Sequence, residues 1–207
     1  MHDTDARRNQ PLRARLFEIA SEQGGYFTAA QARECGLSRA LLAHHAKSGR
    51  FLRVRHGLYR IREYPTSPRE DVIAAWLATG KETALVSHES ALDMLGLSDV
   101  VPEVVHLTVP RTQRYRAATA GVAVHTTTRR IAKSDVVVRE GIRVTGPVRS
   151  IVDAAEARTA PEQIMSAVGQ ALNRGIASRS KLLGAARARG GRVERLVRQA
   201  LEERRQA

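Results

Sequence analysis

The stretch TAAQARECGLSRALLAHHAKSGRFLRVRHGLYRI, residues 28–61, decides how the amino-terminal part folds. Thr28 and Gln31, three apart, make a capping box that starts a short helix. Gly36 ends it, because a helix exit needs the left-handed backbone that glycine adopts without penalty. Ser38 then caps a second helix that runs to Gly49. Two short helices joined at Cys35-Gly36-Leu37 predict a helix-turn-helix. The residues that follow alternate: Leu52 and Val54 inward, Arg53 and Arg55 outward, a turn at His56-Gly57, then Tyr59 and Ile61 inward with Arg60 outward. Period-two alternation around a glycine turn predicts a β-hairpin. A helix-turn-helix followed by a basic hairpin is a winged helix.

The second helix divides its faces. Leu42, His45 and Ala46 share one, and Arg39, Ala43 and Lys47 lie nearer the other, the face that would enter a major groove. Ser38 and Arg39 stand at its start, and Arg39 is the residue best placed to reach a base edge. Lys47 and Arg50 suit phosphate, and Arg53, Arg55 and Arg60 in the wing suit phosphates or a minor groove.

Outward from this stretch, residues 12–23 carry Leu12, Leu16, Ile19 and Ala20 at helical spacing, a third helix packed beneath the other two. Tyr26-Phe27 predicts a short strand that pairs with the wing. Tyr64 to Pro68 reads as a linker, followed by helices to Thr79 and from Ser87 to Gly96. Strands are predicted at Val104–Val109, Val122–Thr127, Val136–Arg139 and Ile142–Thr145, then a helix from Pro147 to Ala155. From Pro161 the pattern is helical to the end, with Val193, Leu196, Val197, Ala200 and Leu201 on one stripe. The fold class is therefore α+β: a winged helix-turn-helix over 1–65, a mixed helix and antiparallel-sheet domain over 66–160, and a basic helical extension over 161–207.

Charge follows the same division. Of the net +13 over 207 residues, residues 1–65 hold 12 basic against 6 acidic side chains, residues 66–160 hold 12 against 11, and residues 161–207 hold 10 against 4. Basic ends with a near-neutral middle fit nucleic acid at the winged helix. Aromatic residues make up only 4% of the chain, which argues against a platform for stacking single-stranded bases. The single cysteine, Cys35, excludes an internal disulfide and a multi-cysteine metal site. The polar start of the chain shows no signal-peptide pattern, and the longest apolar run, Val72 to Ala78, is too short to cross a bilayer, so a cytoplasmic protein without membrane contact is expected.

Several stretches, in order, are similar to one family. They are Gly25-Tyr26-Phe27-Thr28, Gly36-Leu37-Ser38, Ser48-Gly49-Arg50-Phe51, Arg53-Val54-Arg55-His56-Gly57-Leu58-Tyr59, Ser87-His88-Glu89-Ser90-Ala91-Leu92 and Val104-Val105-His106-Leu107-Thr108-Val109-Pro110. Gly141-Ile142-Arg143-Val144-Thr145-Gly146-Pro147-Val148-Arg149-Ser150-Ile151-Val152-Asp153 completes the set. Together they resemble the AbiEi family across roughly residues 12–155. The resemblance implies an antitoxin of a type IV toxin–antitoxin pair, whose partners are its own operon's promoter DNA and a cognate nucleotidyltransferase toxin. Resemblance to actinobacterial members implies an alternative, neutralisation by an atypical serine kinase that phosphorylates the toxin, with ATP and Mg²⁺ as cofactors. A plain transcriptional regulator with an effector-binding domain is the remaining alternative.

Direct search for catalytic patterns finds none that is familiar. No acid precedes Lys47, Lys81, Lys133 or Lys181 by two residues, so the acid-x-Lys pair of a nuclease core is missing. A Walker loop, the kinase glycine loop and a Gly-x-Ser-x-Gly elbow are also absent from the sequence. The most suggestive polar cluster is Ser87-His88-Glu89-Ser90 with Asp93, so His88, Glu89 and Asp93 are the catalytic candidates. The competing reading makes Ser87 a helix cap and Glu89 a first-turn acid. His106 and His125 can neighbour one another across strands, yet two histidines fall short of a metal's ligand set, and no metal or other cofactor is expected.

Overall fold

The computed structural model describes residues 14–113 and 120–206. The chain divides into two compact units, Met1–Lys81 and Glu82–Ala207. The first unit therefore extends past the expected boundary at residue 65, and the helical stretch 161–207 packs within the second unit.

In the first unit, helix α1 (residues 14–21) precedes β1 (Tyr26–Thr28), α2 (Ala29–Glu34) and α3 (Arg39–Lys47). The hairpin β2 (Phe51–Arg55) and β3 (Leu58–Ile61) follows, and then α4 (Glu70–Thr79). Leu12, expected on α1, lies outside the described residues. Thr28 Oγ1 accepts from the Gln31 backbone N–H while Gln31 Oε1 accepts from the Thr28 N–H at 2.8 Å, the reciprocal capping that the sequence predicts. Ser38 caps α3 by accepting from the Leu41 N–H. Strand order is β1-β3-β2, antiparallel throughout. Leu16, Ala20, Phe27, Ala32, Cys35, Leu37, Leu42 and Phe51 form the core between helices and sheet, with Phe27 edge-on to Phe51 at 4.9 Å. Gly25 is required where it stands: its φ is +86°, and a Cβ there would meet Tyr64 Cγ at 2.5 Å.

The wing departs from strict alternation. Pairing shifts register between Arg53 and Arg55, a bulge that places two residues of β2 against one of β3. Val54 is consequently exposed rather than inward, Phe51 takes the core position, and Arg55 is half-buried rather than fully outward.

In the second unit, β4 (Leu85–Val86) leads into α5 (His88–Leu95), followed by β5 (Val105–Pro110), β6 (Val122–Thr127), β7 (Val136–Arg139) and β8 (Ile142–Thr145). Helices α6 (Pro147–Glu156), α7 (Pro161–Asn173), α8 (Arg179–Arg187) and α9 (Gly191–Gln206) complete it. The sheet runs β6-β5-β4-β8-β7. It is mixed: β4–β5 and β7–β8 are antiparallel, whereas β4–β8 and β5–β6 are parallel. The two-residue β4 is invisible to periodicity, and its insertion between β5 and β8 creates one of the parallel pairs. Leu85, Leu107, Val109, Ile142 and Val144 from the sheet are buried, as are Leu92, Ile151 and Val152 from α5 and α6. The apolar stripes of α7, α8 and α9 are buried as their spacing predicts, through Ile164, Val168, Ala171, Leu182, Ala186, Val193, Val197, Ala200 and Leu201.

Candidate functional site

Two places concentrate polar chemistry, one in each unit. In the first, α3 buries Leu42 and His45 and exposes Arg39, Ala40, Ala43, His44 and Lys47. The predicted faces of this helix are thus the observed ones. Ser38 and Arg50, at its two ends, and Arg53 in the wing are also exposed. A cavity of about 410 Å³ between helices and wing is lined by Arg33, Arg39, Arg53 and His56, with Ala29, Leu37, Leu42, Gly57 and Tyr59 beneath them. Arg33 and His44 were not singled out in sequence; their exposure on the two helices is what adds them.

Arg60 does not belong with these cations. It is 6% exposed, pairs with Glu70 of α4 at 2.9 Å, and donates to the carbonyls of Tyr64 and Pro65. Its guanidinium also lies 5.8 Å from the Tyr26 ring centroid. The expectation of a DNA contact assumed that the outer face of the sheet is open, but α4 packs against β1 and β3 and turns Arg60 into an internal tie. Arg55 is partly withdrawn for a related reason, the bulge, and its Nη1 is buried without a hydrogen-bond partner.

In the second unit a cavity of about 280 Å³ is lined by His88, Thr108, His125, Thr126, Thr127, Arg129, Arg149, Asp153, Glu156, Ala157 and Arg189. His88 begins α5 with φ +52°, a left-handed backbone that costs a non-glycine residue on the order of 1–3 kcal/mol. Ser87, expected to cap the helix, makes no side-chain cap bond. Its hydroxyl instead bonds His88 Nδ1 at 2.9 Å and accepts from Thr108 Oγ1 at 2.8 Å. Parallel pairing of β5 with β6 sets Thr108 opposite His125, and His106 Nδ1 meets His125 Nε2 at 2.9 Å. The His88 and His125 rings stack with centroids 3.6 Å apart.

Burial disfavours the charged form of all three imidazoles. Desolvation, with smaller contributions from His125 and His106, pushes His88 down to about 2. Desolvation and then His106 push His125 down to about 4, and burial also lowers His106.

Asp153 of α6 supports the cavity wall. Arg149, one helical turn earlier, reaches it at 2.8 Å, and Arg189 pairs with both Asp153 and Glu156. Arg129 pairs with Glu156 at 3.5 Å. Burial pushes the Asp153 carboxyl up, and the two guanidinium groups pull it back.

Two family comparisons match most of the chain. The description "Transcriptional regulator, AbiEi antitoxin" covers residues 14–62, and "AbiEi antitoxin C-terminal domain" covers residues 83–203. The chain belongs to the AbiEi antitoxin family. Its winged helix is the regulator module of this antitoxin, which has a DNA-binding role. No curated protein matches the chain. The RV2827C protein from Mycobacterium tuberculosis, known from a crystal structure, is similar in fold with a TM-score of 0.61 at 15% identity, over 92% of this chain and 76% of that one. No helix among the described residues is long and apolar enough to cross a membrane.

Of the catalytic candidates in this AbiEi antitoxin, only His88 lines the cavity. Glu89 accepts a hydrogen bond from Thr159 Oγ1 at 2.8 Å, and Asp93 lies one turn further along α5. The structure therefore does not assemble His88, Glu89 and Asp93 into one site. It gathers His88 with His106 and His125 instead; the sequence had paired the last two across strands but had set His88 in a different feature. Arg149 and Asp153 carried a legible signal, an i, i+4 spacing of opposite charges. Arg189, in the turn before α9, carried none.

Proposed function

We propose that this AbiEi antitoxin neutralises a cognate nucleotidyltransferase toxin in a type IV pair and represses its own operon through the winged helix. The observation that carries the regulatory half is the exposed face of α3, with Arg39, His44 and Lys47 along it and Arg39 sharing a cavity with Arg53 of the wing, all four free of carboxylate partners in the described ion pairs. Backbone phosphates attract such a face, and the first turn of α3 brings Arg39 to base edges.

Neutralisation by phosphorylating the toxin is a second reading, with ATP and Mg²⁺ as its cofactors. The observation that bears on it is the second cavity, whose wall brings Arg129, Arg149 and Arg189 together with three threonine hydroxyls and with Asp153 and Glu156, which pair with those arginines. A phosphate on the toxin's active site would act by repelling an incoming nucleoside triphosphate. Intact-mass measurement of the toxin after co-expression separates the two readings. Addition of one phosphate, lost when catalytic capacity is removed, supports phosphorylation; an unmodified but silent toxin supports binding or repression. A toxin that remains fully active beside this chain contradicts both.

A further inference from the structure

We propose that His88, His106 and His125 form a binding site for one divalent transition-metal ion of the zinc class, with a fourth coordination position open to the adjoining cavity. Each histidine offers one ring nitrogen, and these three atoms all lie within 4.8 Å of one another. A tetrahedral ion with metal–nitrogen bonds of about 2.0–2.1 Å needs its ligand nitrogens about 3.3–3.4 Å apart. The 2.9 Å contact between His106 Nδ1 and His125 Nε2 is a ring-to-ring hydrogen bond, so an ion bound there takes the place of the shared proton. Planes of the three rings lie within 14–29° of parallel, so coordination requires the rings to fan apart while their backbone positions stay in place.

The three ligands come from three elements: the start of α5, β5 and β6. Their convergence is a product of the tertiary fold, since no short sequence spacing forces it. Imidazole ligands without a carboxylate among them favour zinc and its neighbours over magnesium or calcium. His88 Nδ1 is engaged by Ser87 Oγ, itself bonded by Thr108 Oγ1, which orients the ring and leaves Nε2 for the ion. Beside the cluster, the positive charges of Arg149 and Arg189 are met by Asp153 and Glu156. That pairing lowers the repulsion a cation would meet.

The test uses the full chain, stripped with a chelator and titrated with Zn²⁺ against a chromophoric chelator, and separately with Co²⁺ followed by visible absorption. One ion per chain and a four-coordinate cobalt spectrum are expected. His125→Gln and His106→Gln should each weaken binding by about 100-fold, at least the loss that changes to the supporting shell produce. His44→Gln and His56→Gln, both exposed on the winged helix, should leave it intact. Circular dichroism and the unfolding midpoint establish that each variant is folded. Uptake well below one ion per chain, or a stoichiometric site that survives both His125→Gln and His106→Gln, would overturn the assignment.

Discussion

Asp153 shows how much of the second unit hangs on single side chains. It is 3% exposed and holds Arg149 and Arg189, whose own side chains are 10% and 7% exposed. Asp153→Ala leaves Arg189 with Glu156 and leaves Arg149 with only the more distant Asp135, at 3.8 Å. Removing one member of a buried ion pair costs about 3–5 kcal/mol, so the urea midpoint of the second unit should fall steeply. Asp153→Asn, which keeps the shape and one acceptor oxygen, should cost less; equal midpoints for wild type and Asp153→Ala would refute the role. The Arg149–Asp153 pair was legible at helical spacing, but Arg189 was not, because its position depends on how α9 returns to α6.

At the scale of elements, the helix-turn-helix was readable because its signals are local: caps at Thr28 and Ser38, and buried positions at helical spacing. What failed was the assignment of α4. Tyr64 to Pro68 looks like a linker by composition, yet α4 packs on β1 and β3, and no periodicity within a strand reports which of its faces another helix will cover. Tyr26, Arg60 and Glu70 bind these elements together: the Tyr26 hydroxyl donates to Glu70 at 3.3 Å, and Glu70 pairs with Arg60. Burial first, and then the Glu70 charge, push the Tyr26 phenol from 10.0 up to about 12. The unfolded chain therefore releases this proton near pH 10 while the folded one retains it to about pH 12. Stability from this group is present below pH 10 and declines as pH rises through that window. Denaturation of wild type and Tyr26→Phe should differ by a constant amount below pH 10 and diverge in slope above it; parallel curves to pH 12 would exclude the tie. The pairing of His106 with His125 across strands was legible in the sequence, but the arrival of His88 beside them was not. Parallel pairing of β5 with β6 brings His106 and His125 together, and only the short β4 carries His88 to them.

For the whole molecule, the net charge of +13 is a poor guide until each arginine is placed. In the second unit, Arg174 donates to the Leu95 and Gly96 carbonyls and Arg192 to that of Ala155, closing the ends of α5 and α6, while Arg179 donates to the Leu201 carbonyl within α9. Part of the basic character of residues 161–207 is used in packing, while Arg187, Arg195 and Arg198 there face solvent, as do Arg39, Lys47, Arg50 and Arg53 of the winged helix. Binding of DNA by that face is the central claim, and its salt dependence is the most direct measure. Each phosphate neutralised contributes about 0.9 to the slope of log K against log salt. The chain should prefer duplex from upstream of its own operon to random duplex, and Lys47→Ala, Arg50→Ala and Arg53→Ala together should flatten the slope by about 2.7. Arg60→Gln, inside the fold, should leave the slope unchanged. An unaltered slope in the triple variant, or equal affinity for both duplexes at physiological salt, would contradict the account.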